Sequence, residues 1–181
     1  MKPPTLAEKL GTTPHESALL KKAEGLGLDA EGLERLAVQR GCDYYHEGDA
    51  LPSLEVFSDQ FNDAELAIAL LNPSLRYHPQ TLRLGAAMLG AWDNDPETVA
   101  RLAGQEHCEA IVRYVAESGK RFEPQNQFWT KLLSLLPVTP APKSSVVPHP
   151  TRFVAMTGIT RRGVETVTEW IRPHPIAPAH G

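Results

Sequence analysis

The chain has 181 residues, 41% of them hydrophobic, and is therefore long enough to bury one core of ordinary size. Its 18 Lys and Arg residues stand against 22 Asp and Glu residues, and this net charge of −4 lacks the basic excess that attracts nucleic acid. Two cysteines cannot form a disulfide framework, and the longest apolar stretch, Leu66 to Leu71, is far shorter than the ~20 residues of a membrane span. We therefore expect a soluble, cytoplasmic protein with no membrane partner.

Helix signals dominate the chain before residue 137. Capping residues followed by a carboxylate mark several starts, as in Thr13 to Glu16 and Asn62 to Glu65. The expected helix ends are marked by Gly27, Gly41, Gly90 and Gly119. Together with the spacing of the apolar residues, these signals predict amphipathic helices near 5–10, 14–25, 30–40, 63–72, 79–90, 95–104, 108–118 and 126–136.

Two stretches of the helical region resemble each other. Asp63 to Leu71 aligns with Asp95 to Ala103 at an offset of 32 residues, and Leu82 to Gly90 aligns with Ile111 to Gly119 at an offset of 29. Over residues 14–136 this pattern resembles the HEAT-like class of α-solenoid, in which each helical hairpin buries its apolar face against its neighbours. The resemblance implies an all-α fold, a short array of antiparallel helical hairpins; an irregular helical bundle is the alternative.

Proline marks the end of the helical region. Residues 137–181 hold 8 of the 16 prolines, and a helix cannot continue through residues 137–150 because proline lacks an amide donor and restricts the residue before it. The predicted organisation is an α-helical domain at 1–136, a proline-rich linker at 137–150, a C-terminal docking segment at 151–172 and a flexible tail at 173–181.

The docking segment is too apolar to be a solvated tail. Phe153 and Met156, if exposed, would cost roughly 25 cal/mol per Å² of apolar surface. A short strand is possible here, and a short helix is predicted after it from the spacing of Val164, Val167, Trp170 and Ile171. The segment is expected to dock either on the helices of its own chain or on a partner.

Charge is unevenly distributed between two regions. Residues 41–75 carry seven acidic side chains and no Lys or Arg, and their first part adds two tyrosines, whereas the docking segment is basic. The acidic region is either a contact surface, whose candidate receptors include the docking segment, or a solvated connector. The residues expected to contact a partner are Asp43, Tyr44, Tyr45 and Glu47 in the acidic region and Phe153, Met156, Arg161, Arg162 and Trp170 in the docking segment.

Motifs for known chemistry are missing from the sequence. It contains no phosphate-binding glycine loop, no dinucleotide-binding glycine motif and no nucleophile elbow. Cys42 with His46, and His107 with Cys108, lack the spacing of a zinc site. We therefore expect a protein that is not an enzyme and that has no metal site and no cofactor.

The function that these observations favour is binding of another protein. The chain would act as a non-enzymatic scaffold or adaptor whose partner is a second copy or a different protein. A nucleic-acid-associated regulator is the alternative, because residues 5–20 have the outline of a helix-turn-helix and Arg161 and Arg162 add positive charge. Ser17 weighs against this alternative, since the motif has an aliphatic residue at that position, and a nucleic-acid partner is not expected.

Overall fold

The structure, a computed structural model, describes residues 3–42, 55–157 and 167–173. These residues are mostly helical with a small two-stranded sheet, which confirms the predicted all-α character and fits the helical-bundle class. The helices are α1 (Leu6–Leu10), α2 (Ala18–Gly25), α3 (Ala30–Gln39), α4 (Asp63–Leu70), α5 (Pro79–Leu89), α6 (Pro96–Gln105), α7 (Glu109–Phe122) and α8 (Gln127–Leu135). The strands are β1 (Val154–Thr157) and β2 (Val167–Trp170), which pair antiparallel.

Capping side chains explain where most of these helices begin. Asn62 accepts a hydrogen bond from the Glu65 amide while the Glu65 carboxylate accepts one from the Asn62 amide, the capping box that the sequence predicts for α4. Asp95 caps α6 in a similar way by accepting from the Thr98 amide. The start signals read from the sequence are therefore correct for both helices.

Helix α2 begins later than the sequence predicts. Its cap is Ser17 rather than Thr13, and the helix starts at Ala18. The Ser17 side chain is buried, where it donates a hydrogen bond to Glu106 and accepts one from Asn72. Because these partners are distant in sequence, the local pattern around Thr13 could not reveal that they fix the start of the helix.

The glycines that the sequence predicts as helix ends have two different roles in the structure. Gly27 and Gly41 do end helices in the left-handed conformation, with φ of 80° and 114°. Gly119, in contrast, lies inside α7, which continues to Phe122. A side chain at position 119 would overlap the ring of Trp129, so this glycine permits close packing and does not end the helix.

Helix α4 lies at the centre of the core. Its residues from Leu66 to Leu70 are all buried, and it packs against α2, α3, α5 and α6. A helix that is apolar on every side must be covered on every side. Helix α8 packs on α6 and α7, and the buried side chains of the described residues form one contiguous cluster.

The proline-rich segment after α8 lies against the helices. Val146 and Val147 are buried in the same core. The hydroxyl groups of Tyr77 and Tyr114 donate hydrogen bonds, each 2.6 Å long, to the carbonyl oxygens of Val146 and Pro148. These contacts carry the chain to a 3₁₀ turn at Pro150–Phe153 and then into β1.

The sequence predicts a short helix after residue 163, and this prediction is wrong for residues 167–170. Residues 167–170 form β2, in which Trp170 pairs with Val154 and Thr168 pairs with Met156. The β-branched Val167 and Thr168 favour a strand, and β1 supplies the partner strand that a pattern within one segment cannot show.

Candidate functional site

The structure describes only part of the contact set predicted from the sequence. Six of those residues lie outside the described residues: Asp43, Tyr44, Tyr45, Glu47, Arg161 and Arg162. Met156 is a residue of β1. Phe153 and Trp170 are described in full, and both are buried against the helices of their own chain.

The Trp170 side chain is the centre of an aromatic cluster. It is 3% exposed, and its ring centroid lies 4.8 Å from that of Trp129 and 5.5 Å from that of Phe153. Its indole N–H donates to the carbonyl oxygen of Ala86 at 3.2 Å. A Cβ at Gly90 would come within 2.6 Å of the Trp170 ring, so the absence of a side chain there makes room for the indole. The described part of the docking segment, residues 151–157 and 167–172, is thus anchored on its own chain.

An ion pair between Arg172 and Glu123 adjoins this cluster. The guanidinium donates two hydrogen bonds to the carboxylate, at 2.8 and 2.5 Å, and its Nε donates to the Gly90 carbonyl at 2.6 Å. The Trp129 indole N–H also donates to Glu123, at 2.8 Å. Burial raises the pKa of Glu123, but the hydrogen bonds from Arg172 and Trp129 and the charge of Arg172 outweigh it, so its pKa lies below the ordinary 4.5. The pair is therefore ionised at neutral pH.

Trp92 covers the same guanidinium from outside. The Arg172 Cζ lies 3.9 Å from the centroid of the Trp92 ring, which is within the range of a cation–π contact. Even so, Trp92 remains 73% exposed. Hydrogen bonds to Glu123 and Gly90 fix the Arg172 guanidinium, and its contact with the Trp92 ring therefore orients the indole. An exposed tryptophan that is already oriented is a residue suited to binding, since little side-chain entropy remains to be lost.

A cavity of about 340 Å³ has an acidic lining that includes Asp93, the residue after Trp92. Its lining includes Asp63, Asp93 and Asp95. Asp63 pairs with Arg40 at 3.0 Å, and Asp95 is occupied as the cap of α6. Phe57, which is 68% exposed, directly precedes the lining residue Ser58. Two lining residues, Ser58 and Asp93, therefore each follow a large exposed aromatic residue in the sequence.

Trp92 was absent from the predicted contact set. The other two tryptophans, Trp129 and Trp170, lie in segments with apolar periodicity, whereas Trp92 lies between the predicted helices 79–90 and 95–104. The sequence feature that could have identified Trp92 as a contact residue is the presence of a large aromatic side chain in a polar loop. Its support by Arg172, 80 positions away in the chain, is visible only in the folded structure.

No family model, no curated protein and no solved structure matches this chain. Among the described helices, none has the length and apolar character needed to cross a membrane. The described residues also contain no group of three or more His, Cys, Asp or Glu side chains placed to hold a metal ion. The surface around Trp92 must therefore be interpreted from its own chemistry.

Proposed function

We propose that this protein is a non-enzymatic protein-binding module, a scaffold or adaptor, and that Trp92 is its main contact residue. The observation that carries the proposal is the exposed indole held over the fixed guanidinium of Arg172. Tryptophan is among the residue types that dominate the energetics of protein interfaces. A side chain of this size that is 73% exposed is an exception to the burial of large aromatic residues.

The surroundings of Trp92 indicate what kind of partner would fit. The acidic residues Asp93 and Asp95 follow it directly in the chain. A complementary surface would offer an apolar pocket for the indole, with Lys or Arg beside it to meet these carboxylates. The HEAT-like array of helical hairpins is part of the same proposal, since such arrays commonly present extended binding surfaces.

Photo-crosslinking of the full chain in its native cells tests the proposal. Trp92 is replaced by p-benzoylphenylalanine, and a matched sample carries the same residue at Val138, which is 87% exposed and lies after α8. Both probes present a reactive aromatic group at the surface of the chain. Only the probe at position 92 tests the proposed interface.

The expected result is a discrete crosslinked protein, either a second copy or a different chain, from position 92 and not from position 138. The partner is then purified, and Trp92→Ala should weaken its binding by about 2 kcal/mol or more, or ~30-fold in Kd. The proposal is overturned if position 92 gives no crosslink beyond that of position 138, or if Trp92→Ala leaves the affinity unchanged.

A further inference from the structure

A second cavity, of about 480 Å³, lies between the loop that precedes α2 and the junction of α6 and α7. Its apolar lining comes from Leu10, Pro73, Ala110 and Ile111, and its polar lining from Thr12, Thr13, His15 and His107, with Cys108 completing the wall. This volume and this mixture of a mostly apolar wall with a few polar groups are typical of small-molecule sites.

The polar groups of this cavity share one property. Threonine hydroxyl groups and imidazole rings can all donate hydrogen bonds, and the lining contains no carboxylate. The Thr12 hydroxyl donates to the Ala7 carbonyl oxygen, which leaves Thr13 as the threonine donor. Burial raises the pKa of the Cys108 thiol, with Glu106 and Glu109 adding to the effect, so the thiol is neutral at physiological pH. The lining therefore offers donors and no carboxylate, the reverse of the aspartate-lined cavity near Trp92, and Glu106 and Glu109 act on Cys108 from outside the lining.

His107 occupies a backbone position that normally takes glycine. Its φ is 55°, and it ends α6 with the same hydrogen-bond pattern in which Gly27 ends α2 and Gly41 ends α3. A residue with a Cβ is strained in this conformation, because the Cβ lies too close to the following carbonyl oxygen. Of the described residues other than glycine, His107 alone has a positive φ. The imidazole is thus kept on the wall of the cavity at a cost in stability.

The part of the lining that contains His15 is fixed in place. The His15 ring stacks on the His107 ring with 4.2 Å between centroids, and the His15 carbonyl oxygen accepts a hydrogen bond from Ser74. The loop ends at Ser17, which is held by the buried Glu106. Both Glu106 oxygens are engaged, by Ser17, Asn72 and the Leu19 amide, so this carboxylate is hydrogen-bonded within the protein.

The first turn of α7 adds further donors to this wall. Each of the other described helices has a side chain that caps its first amide groups, whereas Cys108, at the cap position of α7, forms no such hydrogen bond. Ala110 and Ile111, in this uncapped turn, line the cavity. Amide groups at the start of a helix favour negatively charged ligands.

We infer that this cavity binds a small organic anion, with a carboxylate or phosphate head group near His15 and His107 and an apolar body against Leu10 and Ile111. The cavity supplies the volume, the two imidazoles and the Thr13 hydroxyl supply donors, and the apolar wall selects a ligand with a hydrophobic part. This site is separate from the Trp92 surface and does not depend on the proposed function.

Titration of the full chain with defined probes tests this inference. The probes are 4-phenylbutyrate, its uncharged amide and phenyl phosphate, and the readout is the NMR spectrum of the histidine rings. The variants are His15→Ala and His107→Gly, since glycine adopts the backbone conformation of position 107 without strain. His149→Ala, which changes an exposed histidine outside the lining, is the control.

We expect saturable binding of at least one anion, with shifts of the His15 and His107 rings, and binding weakened about tenfold or more in both variants but not in the control. Binding of the carboxylate alone or of phenyl phosphate alone identifies the head group, and either result supports the site. The inference is wrong if neither anion binds, if the amide binds as tightly as the acid, or if His15→Ala and His107→Gly leave the affinity unchanged.

Discussion

Trp170 and Trp92 show how the same residue type can serve stability in one region and binding in another. Trp170 is 3% exposed, and its N–H, its ring faces and the space for its ring are all accounted for within the chain. Trp92 rests on the guanidinium of Arg172 but leaves most of its ring in solvent. The difference shows that apolar character alone does not identify an interface residue. A large apolar side chain is a candidate for binding only if its surface is not already buried by contacts within its own chain.

The largest expected effect is at Trp170. Trp170→Ala removes a fully packed aromatic side chain and its hydrogen bond to Ala86, and should lower the free energy of unfolding by about 3–5 kcal/mol. Urea unfolding followed by circular dichroism measures this without relying on tryptophan fluorescence. A loss of less than about 1 kcal/mol, the size of an ordinary substitution, would show that the docking segment is not anchored as described.

A pair of glycines in neighbouring helices should give effects of opposite sign. Gly119→Ala places a methyl group against the Trp129 ring and should destabilise the protein by about 1–3 kcal/mol. Gly104→Ala, in α6, meets no atom within 4 Å and should stabilise it by up to about 1 kcal/mol through helix propensity. Thermal unfolding of the two variants would contradict this account if both moved the melting temperature in the same direction.

The ion pair between Arg172 and Glu123 predicts a pH dependence. Glu123→Gln removes the charge that accepts from Arg172 and should cost about 1.5–3 kcal/mol at neutral pH. The pKa of Glu123 is lowered in the folded state, so its contribution is complete above 4.5 and is lost as the pH falls through the folded pKa. The stability difference between wild type and variant should therefore shrink in urea titrations at progressively acid pH.

A matched control for this pair is Glu117, which forms an exposed i, i+4 pair with Arg113 in α7. Glu117→Gln should change stability by no more than about 0.5 kcal/mol. If Glu117→Gln and Glu123→Gln have equal effects, or if the effect of Glu123→Gln grows on acidification, the buried pair does not contribute as described.

Of the two tryptophans, Trp92 is expected to contribute much less to stability. Trp92→Ala loses a cation–π contact with Arg172 and should cost only about 0.5–1 kcal/mol. The melting temperatures of Trp92→Ala and Trp170→Ala, measured together, provide the test. A cost at Trp92 as large as that at Trp170 would make Trp92 a structural residue and would remove the distinction between the two regions.

The sequence predicted the helices better than it predicted the site. The starts of α4 and α6 could be read from Asn62 and Asp95 because a cap and its amide partners lie within one turn. The start of α2 could not, since Ser17 is fixed by Asn72 and Glu106. Local chemistry therefore sets most helix boundaries, and long-range contacts set the remainder.

Side-chain roles were harder to predict for the same reason. Trp170 was expected to be a contact residue because the docking segment is apolar, but the space that accepts it depends on a glycine in another element, Gly90. His107 ends a helix where the pattern contains no glycine, and only its φ of 55° and its stack on His15 mark it. Residue type indicates what a side chain can do, whereas its partners decide what it does.

The most direct test of this account is retention of a partner by the full-length Trp92→Ala protein, compared with Val138→Ala and with wild type. Each tagged chain is expressed in the native cells, and the proteins it retains are quantified by mass spectrometry, with melting temperatures measured in parallel. We predict a protein or a second copy that is retained by wild type and Val138→Ala and lost from Trp92→Ala, while Trp92→Ala stays folded. Equal retention by all three chains would contradict the account.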